Sequence, residues 1–188
     1  MLRIYRLIVL TLAAALIGGS LAGAAELAGV TFDDTATAGE QKLVLNGLGL
    51  RTKMFVKVYV GALYLPAKTT DANSVITADV PKSVTMHFLH EVSQEKLTGA
   101  WRDGFANNSA DKMGALKDRL DRFCSLWATM HEGERAVVTY LPGSGTKVSI
   151  NGKEAGAVEG ADFAAALMAV WFGNVPADKD LKAGMLGQ

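Results

Sequence analysis

The sequence predicts an α+β protein, in which strands cluster in hairpins and helices are segregated between and after them. Three observations indicate this class. Strand-like segments follow one another from residue 29 to residue 65, two helical segments follow one another from residue 93 to residue 133, and a strand meander then precedes two last helices. Strands alternating singly with helices would instead indicate a parallel sheet.

The first 24 residues have the layout of a secretory signal peptide. Arg3 and Arg6 precede an apolar run from residue 7 to residue 17, and small residues follow it. This order is typical of a segment removed after export, and so short a run does not span a bilayer comfortably. We expect residues 1–24 to be cleaved and residues 25–188 to form one domain without stable membrane insertion. A retained membrane anchor is the alternative.

Charge and cysteine content restrict the partners and the compartment. Removal of the leader takes away two arginines and no acid, which leaves 17 basic and 19 acidic residues and a formal charge of −2. A chain without a basic excess is poorly suited to neutralise phosphates, so nucleic acid is not an expected partner. Cys124 is the only cysteine, so an exported chain forms no internal disulfide and depends on core burial. We expect a periplasmic location.

The first long hairpin follows a short strand. A polar bend at residues 51–53 is predicted to join its two antiparallel strands. In the second strand every other residue from Met54 to Ala62 is apolar, which predicts one fully buried face, with Lys57 and Tyr59 together on the opposite face. The three strands are predicted at residues 29–32, 42–50 and 54–65.

The centre of the chain predicts a third long strand and two helices. Ser93 is a suitable N-cap after the strand, and Glu95 in the first turn complements the helix dipole. The second helix has apolar residues at steps of four and three and is expected to end at Gly133. The strand is predicted at residues 83–92, the first apolar stripe at Leu97, Ala100, Trp101 and Phe105, and the second at Leu116, Leu120, Phe123, Trp127 and Met130.

The C-terminal part predicts a strand meander and two helices. Asn151-Gly152 is a strong signal for a two-residue hairpin turn. The helix at residues 161–172 is apolar on nearly all sides, so we expect it to be buried against the sheet. The strands are predicted at residues 136–141, 147–150 and 153–158, and the last helix at residues 178–186.

Few residues suggest catalysis or metal binding. The signatures of serine hydrolases, zinc proteases, phosphate-binding loops and Cys-x-x-Cys redox sites are absent from the sequence. His87 and His90 would point to opposite faces of a strand and His131 lies at a helix end, so no shared metal is expected and no cofactor is predicted. Cys124 lies beside an apolar stripe and is expected to be a small buried residue.

The first hairpin also carries a family resemblance. The order Gly49-x-Arg51, a short polar turn, then Phe-Val-Lys-Val-Tyr at residues 55–59 and Leu-Tyr-Leu at residues 63–65 is similar to a hairpin of the chalcone isomerase superfamily. It resembles above all the bacterial chalcone-isomerase-like branch and the plant fatty-acid-binding branch. The similarity extends more weakly over residues 28–187. It implies an open-faced β-sandwich, a large antiparallel sheet with helices layered on one face.

The resemblance implies a ligand-binding role for Arg51 and Tyr59. From the residues alone, Arg51 belongs to a polar bend and would face solvent. In the superfamily the equivalent arginine points into a cleft between sheet and helices, and in the fatty-acid-binding branch the tyrosine joins it on the ligand carboxylate. A guanidinium matches a carboxylate in two parallel hydrogen bonds, and a phenol can add a third. The sequence does not decide whether Arg51 faces solvent or the cleft.

Most of the isomerase machinery is replaced in this chain. By the same resemblance, Ser93 stands where the isomerases have a catalytic tyrosine, Ala100 falls near their asparagine, and Val170 replaces a late hydroxyl residue. Arg51 alone remains. One arginine in an apolar cleft can bind an acidic molecule without the polar network that turnover requires.

Three classes of function therefore follow. The first is a non-catalytic periplasmic binder of a small amphipathic acid, which the resemblance implies to be a fatty acid. Its tail would lie between the sheet and the helices carrying Trp101, Phe105 and Phe163. The second is a chalcone-isomerase-like intramolecular lyase with a rearranged site. The third is a carrier of haem, which would need one of the three histidines or a tyrosine in the cleft, or of another cofactor, or else a partner-binding module. No particular protein partner is predicted.

Overall fold

A seven-stranded antiparallel sheet forms the centre of the protein in a computed structural model that describes residues 23–188. Apart from Gly23 and Ala24, the predicted signal peptide lies outside these residues. A separate two-stranded ribbon consists of β1 (Ala24–Leu27) and β2 (Val30–Asp33). In spatial order the large sheet contains β3 (Thr35–Ala38), β4 (Gln41–Lys53), β5 (Val56–Leu65), β6 (Lys82–Phe88), β7 (Arg135–Leu141), β8 (Gly145–Ile150) and β9 (Lys153–Val158).

Helices cover one face of this sheet, and the predicted α+β class is confirmed. Each strand of the sheet pairs with its neighbour in sequence, so the sheet is a meander interrupted by helical connections. Within the described range, no helix is both long and apolar enough to cross a membrane. The helices are α1 (Ala72–Thr77), α2 (Gln94–Ser109), α3 (Met113–Ser125), α4 (Ala161–Phe172) and α5 (Lys179–Met185), with a 3₁₀ turn at Ala110–Lys112 between α2 and α3.

The sheet is buried on both faces along β5. Tyr59 and Leu63 belong to the main core under the helices, whereas Val60 and Ala62 belong to a second core that contains Phe32 of the ribbon. Both faces therefore exclude water. The prediction of one fully buried and one mixed face is correct for Val60 and Ala62. It is wrong for Met54 and Val56, which are exposed, and for Tyr59 and Leu63, which the helices cover.

The hairpin of β4 and β5 turns later than the sequence predicted. Lys53 pairs with Val56, and Met54 and Phe55 between them form the turn with φ of 49° and 68°. The predicted bend at residues 51–53 is therefore wrong. Met and Phe are not typical of a turn that needs positive φ at both positions. The bend was therefore predicted at the polar residues before them.

A β-bulge changes which side chains of β5 face the helices. Arg51 is opposite Tyr59 and Thr52 is opposite Lys57, so Val58 has no partner on β4. A bulge of one residue interrupts the regular alternation of a strand. Val58 and Tyr59 consequently both contact the main core, while Lys57 is exposed. The predicted shared face of Lys57 and Tyr59 is wrong for this reason.

The helices largely follow the apolar stripes of the sequence. Ser93 caps α2 as predicted, with its side chain accepting from the backbone N–H of Lys96. The predicted continuation of α3 to Gly133 is wrong. The helix ends at Ser125, and Trp127 and Met130 are buried from an irregular segment that continues along the same core.

The C-terminal part agrees with its sequence patterns. Asn151 and Gly152 form the turn between β8 and β9, with φ of 49° and 79°. The apolar helix α4 has the predicted bounds, and its buried side chains include Phe163, Val170 and Trp171. This helix therefore places an apolar wall behind the face of the sheet that carries Tyr59.

Candidate ligand-binding site

An open groove lies where the end of the β4–β5 hairpin meets α2. Its volume is about 660 Å³, and its third wall is the segment at residues 175–177, which connects α4 to α5. Pockets of this size are typical of small-molecule sites. The apolar part of its lining consists mainly of Met54, Val56, Val58, Leu97, Val175 and Pro176.

The groove continues inward into a small cavity beside Tyr59. Arg51, Leu97, Ala100 and Ala177 line both spaces, so the cavity is the inner end of the groove. Its volume is about 10 Å³, roughly the space of one water molecule. Tyr59, Trp101, Val170 and Trp171 complete its wall.

Arg51 lies inside β4 at the junction of the two spaces. Its guanidinium carbon is 5.6 Å from the centroid of the Tyr59 ring, in the range of a cation–π contact. The side chain is half-buried and forms no salt bridge with an acid between residues 23 and 188. The nearby carboxylate of Asp178 accepts instead from the backbone N–H groups of Thr52, Asp180 and Leu181. Arg51 is thus a positive charge available to an anion.

Tyr59 places a hydrogen-bond donor beside this charge. Its side chain is buried, and its hydroxyl oxygen accepts from Nε1 of Trp171 at 3.0 Å. Burial raises the pKa of Tyr59, and the positive charge of Arg51 opposes that rise only in part. The hydroxyl therefore stays protonated at neutral pH, and its own proton is free to be donated.

Two tryptophans complete the polar lining of the inner cavity. Nε1 of Trp101 is buried without a hydrogen-bond partner among the described residues, and Nε1 of Trp171 is used by Tyr59. The other lining side chains, apart from Arg51 and Tyr59, are apolar. Every polar side chain at the inner end is therefore a donor, an arrangement that suits an anion and not a cation. The sequence shows Trp101 on an apolar helical stripe and Trp171 in a helix that is apolar on nearly all sides, and neither pattern carries a separate signal for a site.

The positions that depart from the isomerases lie in or near this site. Ala100 lines both spaces and Val170 lines the inner cavity, so apolar side chains stand where polar ones were implied for an isomerase. Ser93 is the cap of α2 and lines neither space.

The three histidines have different surroundings. The prediction that His87 and His90 lie on opposite faces of one strand is wrong, because β6 ends at Phe88 and His90 lies beyond it. His90 is at the exposed rim of the groove, His87 accepts from Nε of Arg135 at 3.2 Å, and Nδ1 of His131 is 2.8 Å from a carboxylate oxygen of Glu91. Within residues 23–188, no three His, Cys, Asp or Glu side chains are grouped closely enough to hold a metal ion. Cys124 is buried as expected.

The space expected for a ligand tail beside Phe105 and Phe163 is filled by their own rings. The two ring centroids are 5.3 Å apart, both side chains are fully buried, and neither lines the groove or the inner cavity. Trp101 lines the inner cavity but does not line the groove. The apolar space that this structure offers is the outer groove, between the hairpin and α2.

Comparisons with known proteins identify the family of this chain and the class of its fold. Residues 24–187 match the model of the family described as chalcone isomerase-like, and the chain belongs to that family. Among solved structures, a fatty-acid-binding protein of Arabidopsis thaliana superposes with a TM-score of 0.72 at 16% identity, over 87% of this chain and 96% of that chain. At this identity the likeness shows the shared fold, and the predicted chalcone isomerase type of sheet and helix layer is confirmed. A search of the curated proteins finds no match.

Proposed function

We propose that this protein is a non-catalytic, periplasmic binder of a small amphipathic carboxylate, such as a fatty acid. The observation that carries the proposal is Arg51, a half-buried cation without an acidic partner among the described residues, at the inner end of a groove that is apolar in part. Tyr59 adds a free phenol proton beside it. The fatty-acid-binding name of the Arabidopsis neighbour supports the same ligand class.

The chemistry of a carboxylate matches the donors at the inner end. Arg51 can hold both carboxylate oxygens, and the hydroxyl of Tyr59 can donate a further hydrogen bond. Such charge-assisted bonds are stronger where water is excluded. A tail would then extend outward along Val56, Val58 and Leu97, because these side chains line the groove that starts at Arg51.

The apolar residues near the head group support binding without turnover. Ala100 and Val170 supply no acid, base or hydrogen bond to a reacting ketone. Catalysis requires groups that stabilise the transition state more than the ground state, and Arg51 would hold the anion in both. Retention of a bound ligand is the outcome that this lining favours.

Titration calorimetry with dodecanoate tests the clamp. Arg51→Gln is expected to weaken binding about 30-fold or more, because a charge-assisted contact worth about 2 kcal/mol is lost, and Tyr59→Phe about 5-fold. The two losses should not add in the double variant, because both residues hold one carboxylate. Dodecanol lacks the carboxylate and should bind the wild type and Arg51→Gln equally.

Lys153→Gln is the matched control, since Lys153 is an exposed cation on the far β8–β9 hairpin. Its dodecanoate affinity should equal that of the wild type. The proposal fails if the wild type does not bind dodecanoate, or if Arg51→Gln binds it as tightly as the wild type does.

The periplasmic part of the proposal rests on the N-terminal sequence and has its own test. Protein recovered from the periplasmic fraction is expected to begin directly after Ala24 or Ala25. N-terminal sequencing that finds Met1 intact would contradict export with cleavage, and it would leave the proposal of carboxylate binding untouched.

A further inference from the structure

The tip of the β4–β5 hairpin exposes an apolar patch at the mouth of the groove. Met54 is 85% exposed and Phe55 101%, and Val56 and Val175 beside them are also exposed. Met54, Val56 and Val175 line the groove, whereas Phe55 does not. The remaining exposed large apolar residue of the described chain, Val80, precedes β6 at the opposite end of the sheet. Clustering of this kind marks an interaction surface more often than chance exposure does.

The backbone conformation of this turn does not favour the two large apolar side chains found in it. Met54 and Phe55 have φ of 49° and 68°, and the turn at Asn151 and Gly152 has nearly the same values, 49° and 79°. Asn-Gly is the preferred sequence for such a turn, and large non-glycine side chains are disfavoured there. One hairpin of this chain thus uses the favourable sequence, whereas the other holds two large apolar side chains in water. Conformational preference therefore does not account for these two side chains, and we attribute them to a contact with another molecule.

Positive charges lie beside this patch on both strands. Lys53 and Lys57 flank the turn, both are exposed, and neither forms a salt bridge within residues 23–188. Lys96 of α2 is exposed on the groove wall, which also contains Glu91 and Asp103. The carboxylate of Asp178 is held by backbone N–H groups at the base of the hairpin. The turn is therefore flanked by cations on its own two strands, whereas the acids of this region belong to other parts of the chain.

We propose that this tip docks on the surface of an anionic lipid bilayer, with Phe55 inserted below the head groups and Lys53 and Lys57 against lipid phosphates. An apolar side chain flanked by lysines matches the two layers of a membrane interface, since the ring meets acyl chains and the ammonium groups meet phosphate. The groove opens beside the inserted residues, so its mouth lies at the membrane surface. If the proposed carboxylate binding holds, an amphipathic ligand passes between bilayer and groove with little exposure to water.

Vesicle flotation tests the docking without any fatty acid. The full chain and its variants are mixed with phosphatidylcholine vesicles containing either no anionic lipid or about 30 mol % phosphatidylglycerol. Phe55→Gly is expected to lower partitioning onto anionic vesicles about 10-fold or more, because the inserted ring is lost. Glycine is favoured at positive φ, so this variant should unfold at the same temperature as the wild type or higher, which separates lost docking from lost folding.

Two matched controls isolate the hydrophobic and the electrostatic parts. Val80→Ser removes an exposed apolar side chain at the far end of the sheet and should leave partitioning unchanged. Lys57→Gln should lower partitioning about 5-fold on anionic vesicles and little on neutral ones, whereas the distant Lys153→Gln should lower it on neither. All variants carry the same N-terminal segment, so any affinity of that segment for lipid cancels in these comparisons.

The outcomes separate docking from the other occupants of the patch. Equal flotation of Phe55→Gly and the wild type overturns the proposal, and so does a wild type that does not bind anionic vesicles. A wild type that self-associates in solution and becomes monomeric through Phe55→Gly, with flotation unchanged, would assign the tip to a contact between copies. Because Phe55 does not line the groove, the Phe55→Gly variant should bind dodecanoate with the affinity of the wild type. Docking and ligand binding can therefore fail separately.

Discussion

Gly49→Ala is expected to lower the free energy of unfolding by about 3 kcal/mol or more, at the upper end of the cost of overpacking. A Cβ on Gly49 would lie 2.2 Å from the carbonyl oxygen and 2.8 Å from Cα of Leu181, both in the backbone of α5. A helix backbone cannot move aside as a flexible side chain can. The helix must lift from β4, and buried Leu181 and Met185 lose their packing.

Gly114→Ala is the control for this change. Gly114 is the second residue of α3, and a Cβ there would meet nothing within 4 Å, so alanine should stabilise the helix by up to about 0.5 kcal/mol. Urea titrations of both variants measure the difference as opposite shifts of the midpoint. A midpoint of Gly49→Ala at or above that of the wild type would show that α5 is not packed on this glycine.

Trp101→Ala is expected to cost about 3–5 kcal/mol of stability, the range for truncating a large buried aromatic. The Trp101 ring lies at the centre of an aromatic cluster, with centroids 5.4 Å from Phe123, 5.3 Å from Trp127 and 5.2 Å from Trp171. Its removal would join an empty space to the inner cavity. Indole should refill that space and raise the unfolding temperature of Trp101→Ala while leaving the wild type unchanged.

Trp101→Phe provides the comparison that separates ring packing from the indole N–H. Phenylalanine keeps part of the ring contact and removes a donor that has no partner among the described residues, so its loss of stability should be well below that of Trp101→Ala. If both variants lost the same stability, the indole N–H would form a hydrogen bond that the contacts of the described residues do not account for.

The sequence predicted correctly those elements that are determined by neighbouring residues. Asn151-Gly152 fixed a hairpin because its two residues favour the conformation that the turn needs, and α4 was recognisable because an apolar helix must be buried. The first hairpin lacked such a signal. Its turn is made of Met54 and Phe55, so the polar residues 51–53 were mistaken for the bend, and Arg51 was placed outside the strand.

The candidate site was only partly readable from the chain. Arg51 and Tyr59 are opposite each other in the β4–β5 hairpin. Their closeness could be predicted because the two strands of a hairpin are close in sequence. Trp171 contacts Tyr59 across 112 positions, and nothing local to either residue indicates that bond. The side chains of residues 175–177 reach the groove only because α4 and α5 are packed on the same sheet. Tertiary packing therefore supplied the rest of the site.

The packing of α5 on β4 also sets when during synthesis the site can form. The bond from Asn46 to the carbonyl of Met185 spans 139 positions, and the bond from Thr52 to Asp178 spans 126. Neighbouring strands of the meander can pair as they leave the ribosome, because each new strand finds its partner already present. The wall formed by residues 175–177 and α5 is added after every strand of the sheet has been made. A nascent chain therefore exposes the part of β4 around Gly49 until α5 has left the ribosome, and a ligand has no finished site before that moment.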